Sequence, residues 1–284
     1  MPSSTRQTFT TSRLLDFFTT RELAKQVGHD DSDWPLVVLK ELTDNALDGC
    51  EEAGVAPDIT VAITDDAITV TDNGPGVDAD TIAKILDYTT RTSSREAYVE
   101  PTRGAQGNAL KTLIATPFVL DGEEGDVTIT TRGTRHEITV RVDHVKGEPV
   151  IDHEQHDAPK ATGTIVKIHW PETDKASVIL QEAHPRFLQN AENVAWLNPH
   201  ARITIRDGIG ENERVYEPTD AGWQKWSPST PPVPHWYAED DIERLIAACV
   251  TADRERGDTR TVRALASMFK GLASTAKQKK ATSA

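Results

Sequence analysis

Cysteine is nearly absent. Cys50 and Cys249 are the only two in 284 residues, too few and too far apart for a disulfide framework or a thiolate zinc site. No apolar run approaches the roughly 20 residues of a membrane helix. The opening Met1-Pro2-Ser3-Ser4-Thr5 lacks the apolar core of a signal peptide. Both observations lead us to expect a cytoplasmic protein with reduced thiols and no membrane contact. Positive charge is scarce as well. Against 45 Asp and Glu stand 31 Lys and Arg, a formal net charge of -14, which excludes a surface that binds nucleic acid throughout. The same acidity suits a high-salt cytoplasm. His153, His156, His169, His184, His200 and His235 show no metal-ligand spacing, and there is no internal repeat.

What is present is a soluble composition, 37% hydrophobic and 27% charged, with length for one large domain or one plus a smaller. Its centre is Glu41-Leu42-Thr43-Asp44-Asn45-Ala46-Leu47-Asp48. Pro35 stands where a helix can start, with Ser32 or Asp33 as N-cap. Val38, Leu42, Ala46 and Leu47 form a core stripe, and Glu41, Asn45 and Asp48 line a neighbouring face. Two strands follow, residues 59–63 and 67–71, joined by a turn at Thr64-Asp65-Asp66. The second runs into Asp72-Asn73-Gly74-Pro75-Gly76, a carboxylate at a strand end followed by glycines, where backbone can approach a ligand.

In chain order, residues 1–18 read as an arm. Thr19 or Thr20 caps a short helix that Gly28 stops, and the central helix ends near Gly54. Asp78 caps a helix through Leu86. Residues 88–107 are polar, without periodicity, and end in Arg103-Gly104-Ala105-Gln106-Gly107-Asn108 before a helix containing Lys111. A loop of that length is usually functional, and glycines before a helix N-terminus can hold an anion. Period-two segments at 127–131, 136–142 and 162–170 predict an antiparallel meander. A helix is expected over 185–197 and a strand over 202–205. Residues 223–238 are a Pro-rich linker, 239–251 and 261–272 are helical, and the Lys-rich tail from Lys277 is frayed. The fold class is α+β: a two-layer sandwich with a mixed, largely antiparallel sheet over 19–222, plus a small helical region over 239–284.

The ordered motifs E-L-T-D-N-A-L-D-G, D-N-G-P-G, R-G-A-Q-G and T-G-T resemble the GHKL or Bergerat-fold ATPases, the group of gyrase B, Hsp90, histidine kinases and MutL. Within that group the run Leu47-Asp48-Gly49-Cys50-Glu51-Glu52-Ala53-Gly54 and the segment Arg103-Gly104-Ala105-Gln106-Gly107 are most similar to the B subunit of type IIB topoisomerases (topoisomerase VI). The likeness covers residues 12–210. It implies that ATP and Mg²⁺ are the cofactors. Glu41 would be the general base and Asn45 the Mg²⁺ ligand. Asp72 would accept from the adenine amino group, with Gly74 and Gly76 against the base and Thr164 beside the pocket. Residues 88–107 would form a lid whose Gly104, Gln106, Gly107 and Asn108 donate to phosphates, with Lys111 able to reach one.

The chain departs from the family at Ala109, where a third lid glycine is usual. From its length we also expect these 284 residues to lack the second domain that supplies a lysine to the γ-phosphate in those subunits. The implied activity is therefore an ATP-driven switch with slow turnover alone, forming an ATP-dependent homodimer or docking a separate partner such as a DNA-cleaving subunit. The other reading is an ATP-sensing interaction module with little turnover. A histidine-kinase-like phosphotransferase is disfavoured, because no helix presents a phosphoacceptor histidine beside a coiled coil. Arg254, Arg256, Arg260, Arg263, Lys270, Lys277, Lys279 and Lys280 give the C-terminal region a basic lean that could meet DNA.

Overall fold

The computed structural model describes residues 17–88, 109–143, 145, 148–223, 233–257 and 259–282. They fall into two compact units, one from the described parts of 1–90 and 109–222, the other from those of 223–284. The expected lid residues 89–107, with Gly104, Gln106 and Gly107, lie outside the described residues, as do Asn108, most of the arm and residues 224–232.

The first unit is built on strands β1 (Asp58–Thr64), β2 (Ala67–Thr71), β3 (Gly125–Thr131), β4 (Thr134–Asp143), β5 (Glu148–Asp157), β6 (Thr164–His169), β7 (Arg202–Asp207) and β8 (Asn212–Tyr216). They form one sheet in the order β5-β4-β3-β6-β2-β1-β7-β8. β1 and β7 run parallel, and the other pairings are antiparallel. Its helices are α1 (Thr20–Val27), α2 (Trp34–Glu52), α3 (Ala79–Leu86), α4 (Ala109–Asp121) and α5 (Asp174–Leu197). Alternation along the strands turns Ile59, Val61, Ile63, Ile68, Val70, Val127, Ile129, Ile138, Val140 and Ile168 into the core, where they meet Leu42, Leu47, Leu113, Phe118 and Phe187. The expected layering, a mixed sheet with helices packed on one face, is what forms.

Helix boundaries follow their caps. Thr19 Oγ1 accepts from Glu22 N at 3.2 Å and Gly28, at φ 77°, closes α1. Asp78 Oδ1 accepts from Thr81 N at 2.7 Å to start α3. Pro35 sits in the first turn of α2, and Asp33 stands at its N-cap without capping the helix N–H groups, its carboxylate accepting instead from Arg186 at 2.8 Å.

Four expectations need correction. The helix expected from Pro185 begins at Asp174, capped by Thr173, and carries Pro185 in its interior. Pro185 and Gln181, whose carbonyl the proline leaves without a helical donor, are both exposed, so water can serve that carbonyl. The meander is interrupted: β5 follows β4, and β6 returns to lie between β3 and β2. Edge strands β5 and β8 went unread because Glu148–Asp157 and Asn212–Tyr216 are mostly polar on both faces. In the second unit the first helix runs to Arg256, and the tail forms a helix. Its helices are α6 (Glu239–Arg256), α7 (Val262–Met268) and α8 (Thr275–Thr282).

The second unit is held by the buried Leu245 and Phe269, by the Tyr237 ring edge-on to Phe269 at 5.4 Å, and by Arg260, which binds Asp253 at 3.0 Å. Arg260 is therefore committed internally. Lys270, Lys277, Lys279 and Lys280 remain on the surface.

One buried carboxylate fastens α5 to the β7–β8 turn. Asp207 Oδ1 lies 2.8 Å from His184 Nε2 and accepts from Gly210 N at 2.8 Å and Ile209 N at 3.1 Å. Burial works against its charge, but the Gly210 N–H, His184 and the Ile209 N–H outweigh it and hold the pKa below 3.8. A depressed carboxylate contributes stability that is present above its unfolded pKa and lost as pH falls through its folded one. Urea midpoints should therefore show wild type ahead of Asp207→Asn by about 1–3 kcal/mol at pH 6, with the gap narrowing below pH ~4. A gap independent of pH would contradict this account.

Candidate functional site

The site is assembled around α2. Val38, Leu39, Leu42, Thr43, Ala46, Leu47 and Cys50 are buried on one side, and Thr43 turns its hydroxyl back to the Leu39 carbonyl at 2.6 Å. The other side carries Glu41 and Asp48, half-buried, and Asn45, exposed. Lys40 Nζ lies 3.3 Å from Glu41 Oε1 and 3.0 Å from Asp44 Oδ2. Burial works against the Lys40 charge, but the carboxylates of Asp44 and Glu41 prevail and raise its pKa. Lys40 thus stays cationic and restrains the Glu41 carboxylate beside the exposed amide of Asn45.

The last turn of α2 abuts the loop that leaves β2. Cys50 Sγ donates to Asn73 Oδ1 at 3.3 Å, and that oxygen also accepts from Asp58 N at 2.9 Å, while Asn73 Nδ2 donates to the Ala56 carbonyl at 3.0 Å. Asn73 thereby ties the loop to the α2–β1 connection. Burial, then the nearby Asp72 charge, push the Cys50 thiol up to about 11, so it is an inert packing group.

Asp72 is held from two sides. Its Oδ1 accepts from Gly74 N at 2.8 Å and Thr164 N at 3.1 Å, and its own N–H donates to the Thr164 carbonyl at 2.9 Å. Oδ2 has no hydrogen-bond partner among the described residues. Burial raises the Asp72 pKa, opposed by the two N–H donors. Thr164 is therefore coupled to Asp72 directly through its backbone.

Gly163, at φ 91°, passes so close that a Cβ would overlap the Asp72 carbonyl oxygen. Gly76, at φ 75°, has the Thr131 hydroxyl and Arg132 against the place a Cβ would take. Thr131 Oγ1 accepts from Val77 N at 2.9 Å and donates to the Gly163 carbonyl at 3.3 Å, and Arg132 Nε donates to the Pro75 carbonyl at 3.2 Å. Arg132 and Gly133 both take positive φ, the pattern of a type I′ turn. The β3–β4 hairpin tip thus clamps the glycine loop.

Lys111 is neither solvated nor extended. It is buried in α4, donates to the Asp87 carbonyl at 2.5 Å, and lies 5.9 Å over the Tyr88 ring. Tyr88 in turn donates its hydroxyl to the Lys111 carbonyl at 2.8 Å. Phe17 and Phe18 pack on Tyr88 at centroid distances of 5.3 and 4.9 Å. Burial lowers the Lys111 pKa, against the pull of Asp87.

A separate hollow of about 520 Å³ lies at the far ends of β2 and β6, lined by Asp66, Asp121, Glu124, Asp126, His169 and Glu172 among others. It is too acidic for a phosphate ligand.

The structure therefore brings together Asp72, Gly74, Gly76 and Thr164, with α2 alongside presenting Glu41 and Asn45. Sequence reading missed Asn73, Thr131 and Arg132 as supports. The Arg132-Gly133 pair is a legible hairpin signal, but nothing local says that this tip lands on a loop 54 residues upstream.

The family model described as "Histidine kinase-, DNA gyrase B-, and HSP90-like ATPase" matches residues 30–174. The B subunit of type 2 DNA topoisomerase 6 from Natronomonas pharaonis is 32% identical over 68% of this chain and 24% of its own length. The B subunits of the same enzyme from Archaeoglobus fulgidus and Methanosarcina mazei are each 30% identical, over 63% and 67% of this chain and 31% of their own length. The chain thus spans about a quarter to a third of the length of these relatives. A solved N-terminal domain of a DNA repair protein gives a TM-score of 0.39 at 16% identity, over 63% of this chain and 50% of its own.

Gly163→Ala tests the close approach. It should cost about 1–3 kcal/mol from backbone strain alone, measured by urea unfolding, with further loss from displacement of the Asp72 carbonyl. Gly28→Ala, also at positive φ but with open space around it, should bear the strain only. Equal costs for the two would sink the packing argument.

Proposed function

The chain belongs to the histidine kinase-, DNA gyrase B- and HSP90-like ATPase family, and from that premise we propose that it binds Mg-ATP between α2 and the Asp72 loop and uses it as a conformational switch. The observation that carries this reading is the Asp72 carboxylate. One oxygen is committed to two backbone donors, and the other is left to accept from the exocyclic amino group of adenine. A carboxylate fixed in this way selects a donor at that edge of the base, because a ligand without one would leave it desolvated and unmatched.

The residues present fit the cofactors. Asn45, exposed on α2, offers an amide oxygen, a hard ligand for an ion that keeps most of its waters. Mg²⁺ held there would draw charge from the phosphates. Glu41, one turn earlier on α2, is the general base, orienting water and accepting its proton, with Lys40 restraining the carboxylate. Gly104, Gln106, Gly107 and Asn108 would offer donors to the phosphates. Lys111 would have to leave the Asp87 carbonyl to reach a phosphate, so its role here is to join the residues on either side of 89–108.

ATP would favour one arrangement of the site and hydrolysis release it, so that nucleotide state governs dimerisation or docking of a separate partner. The names of the relatives, each the B subunit of a DNA topoisomerase, support a second subunit that acts on DNA. The surface lysines of α8 are a candidate DNA contact.

The decisive measurement is ATP turnover alongside ATP affinity. Glu41→Ala should lower turnover by about 100-fold or more with ATP still bound. Asn45→Ala should lower turnover and the Mg²⁺ dependence of binding. Asp72→Asn should weaken ATP by about 10- to 100-fold, the loss of a charged hydrogen bond. Turnover unchanged in both Glu41→Ala and Asn45→Ala would remove the assigned site. ATP binding without turnover in wild type would favour the second reading, an ATP-sensing interaction module.

A further inference from the structure

On the face of the first unit's sheet opposite the core residues Ile138 and Val140, two carboxylates and an imidazole converge. Glu137 of β4 and Glu154 of β5 are in direct cross-strand register. His156, two residues along β5 on the same face, places Nε2 at 3.5 Å from Glu137 Oε2 and 3.5 Å from Glu154 Oε2. The three ligand atoms lie within 4.8 Å of one another. We propose that Glu137, Glu154 and His156 bind a divalent zinc-type ion.

Three features carry the proposal. First, like charges directly opposite on paired strands are destabilising, yet here they are placed by the backbone register itself, so a cation between them relieves a built-in repulsion. Second, the spacing fits. Zinc bonds to nitrogen and oxygen ligands are about 2.0–2.2 Å, and the edge of such a tetrahedron is about 3.4 Å. The two His156–carboxylate distances already match that edge. Third, the remaining oxygen of Glu137 is occupied: Arg135 holds Oε1 at 2.7 Å. Glu137 therefore turns Oε2 to the site, as partners around metal ligands commonly arrange.

Apart from Arg135, two cations of this face are committed elsewhere. Arg141 binds Glu124 and Asp152, and Lys167 pairs with Asp66 at 3.5 Å. One imidazole with two carboxylates favours zinc over the all-oxygen ions Mg²⁺ and Ca²⁺. Three protein ligands would leave a water position open. The ion would staple β5, an edge strand with one free ladder, to β4.

The proposal does not depend on the nucleotide reading. Its test is calorimetric titration of Zn²⁺ into the chelator-treated full chain at pH 8, where ordinary imidazoles are neutral, without nucleotide. One ion per chain should bind. His156→Ala and Glu154→Gln should each weaken binding by about tenfold or more, and Asn45→Ala should not. Zn²⁺ should also raise the melting temperature of wild type and not of His156→Ala. Both substituted side chains are exposed, so folding of the variants is expected and is checked by circular dichroism. As a control for scattered surface histidines, His29→Ala should bind like wild type. Absence of binding at tenfold excess Zn²⁺, or equal affinity in wild type and His156→Ala, overturns the proposal. So does an equal loss in His29→Ala.

Discussion

Everything at the site depends on how β2 and β6 stop. Their register runs to Thr71 opposite Ile165, and just past it Asp72 and Thr164 exchange bonds. Backbone N–H meets carbonyl in one direction, and N–H meets carboxylate in the other. A carboxylate at the end of a central strand would otherwise swing into water. Here the sheet itself fixes one of its oxygens, so the other has a defined place. The neighbouring backbone must come close enough to do this, which is why position 163 has no room for a side chain. The hairpin tip at Thr131 and Arg132 and the amide of Asn73 then hold the loop from opposite sides.

A cysteine at the end of the site helix could have been a reactive thiol, but the local field prevents it. Burial and the Asp72 charge together keep Cys50 protonated, so the α2 end packs as an apolar group and leaves the chemistry to the outer face. On that face charge is managed locally: Lys40 serves two carboxylates at once. The helix thus carries an acidic row through an acidic protein without leaving Glu41 unrestrained.

The legible parts were those where local periodicity and burial agree. The core stripe of α2, the β1–β2 hairpin, the caps at Thr19 and Asp78 and the turn at Asp72 all express a local rule, and each formed where the rule puts it. The edge strands did not, because a strand solvated on both faces has no alternation to read. Pro185 misled for a different reason: a proline whose ring faces water disturbs a helix less than its intrinsic cost suggests. For Lys111 the sequence is silent on direction, because a lysine in an otherwise apolar helix looks the same whether it reaches out or caps a neighbouring carbonyl, as it does at Asp87. The partners of Asp72 at 163–164 could be guessed only through family likeness, since 92 residues separate them.

The parallel pairing of β1 with β7 sets a timetable for synthesis. Asp58 and Arg202 are 144 residues apart, while every strand between them finds its partners earlier or within the intervening chain. As the polypeptide leaves the ribosome, β1 can pair with β2 at once, yet its other edge, in the middle of the finished sheet, stays open until β7 emerges. During that interval the nascent chain shows a hydrophobic strand with a free ladder, the feature that recruits wrong partners. The α5 helix, made just before β7, packs on α2 and on β7, so that edge closes only once the α5–β7 segment has been made and docked.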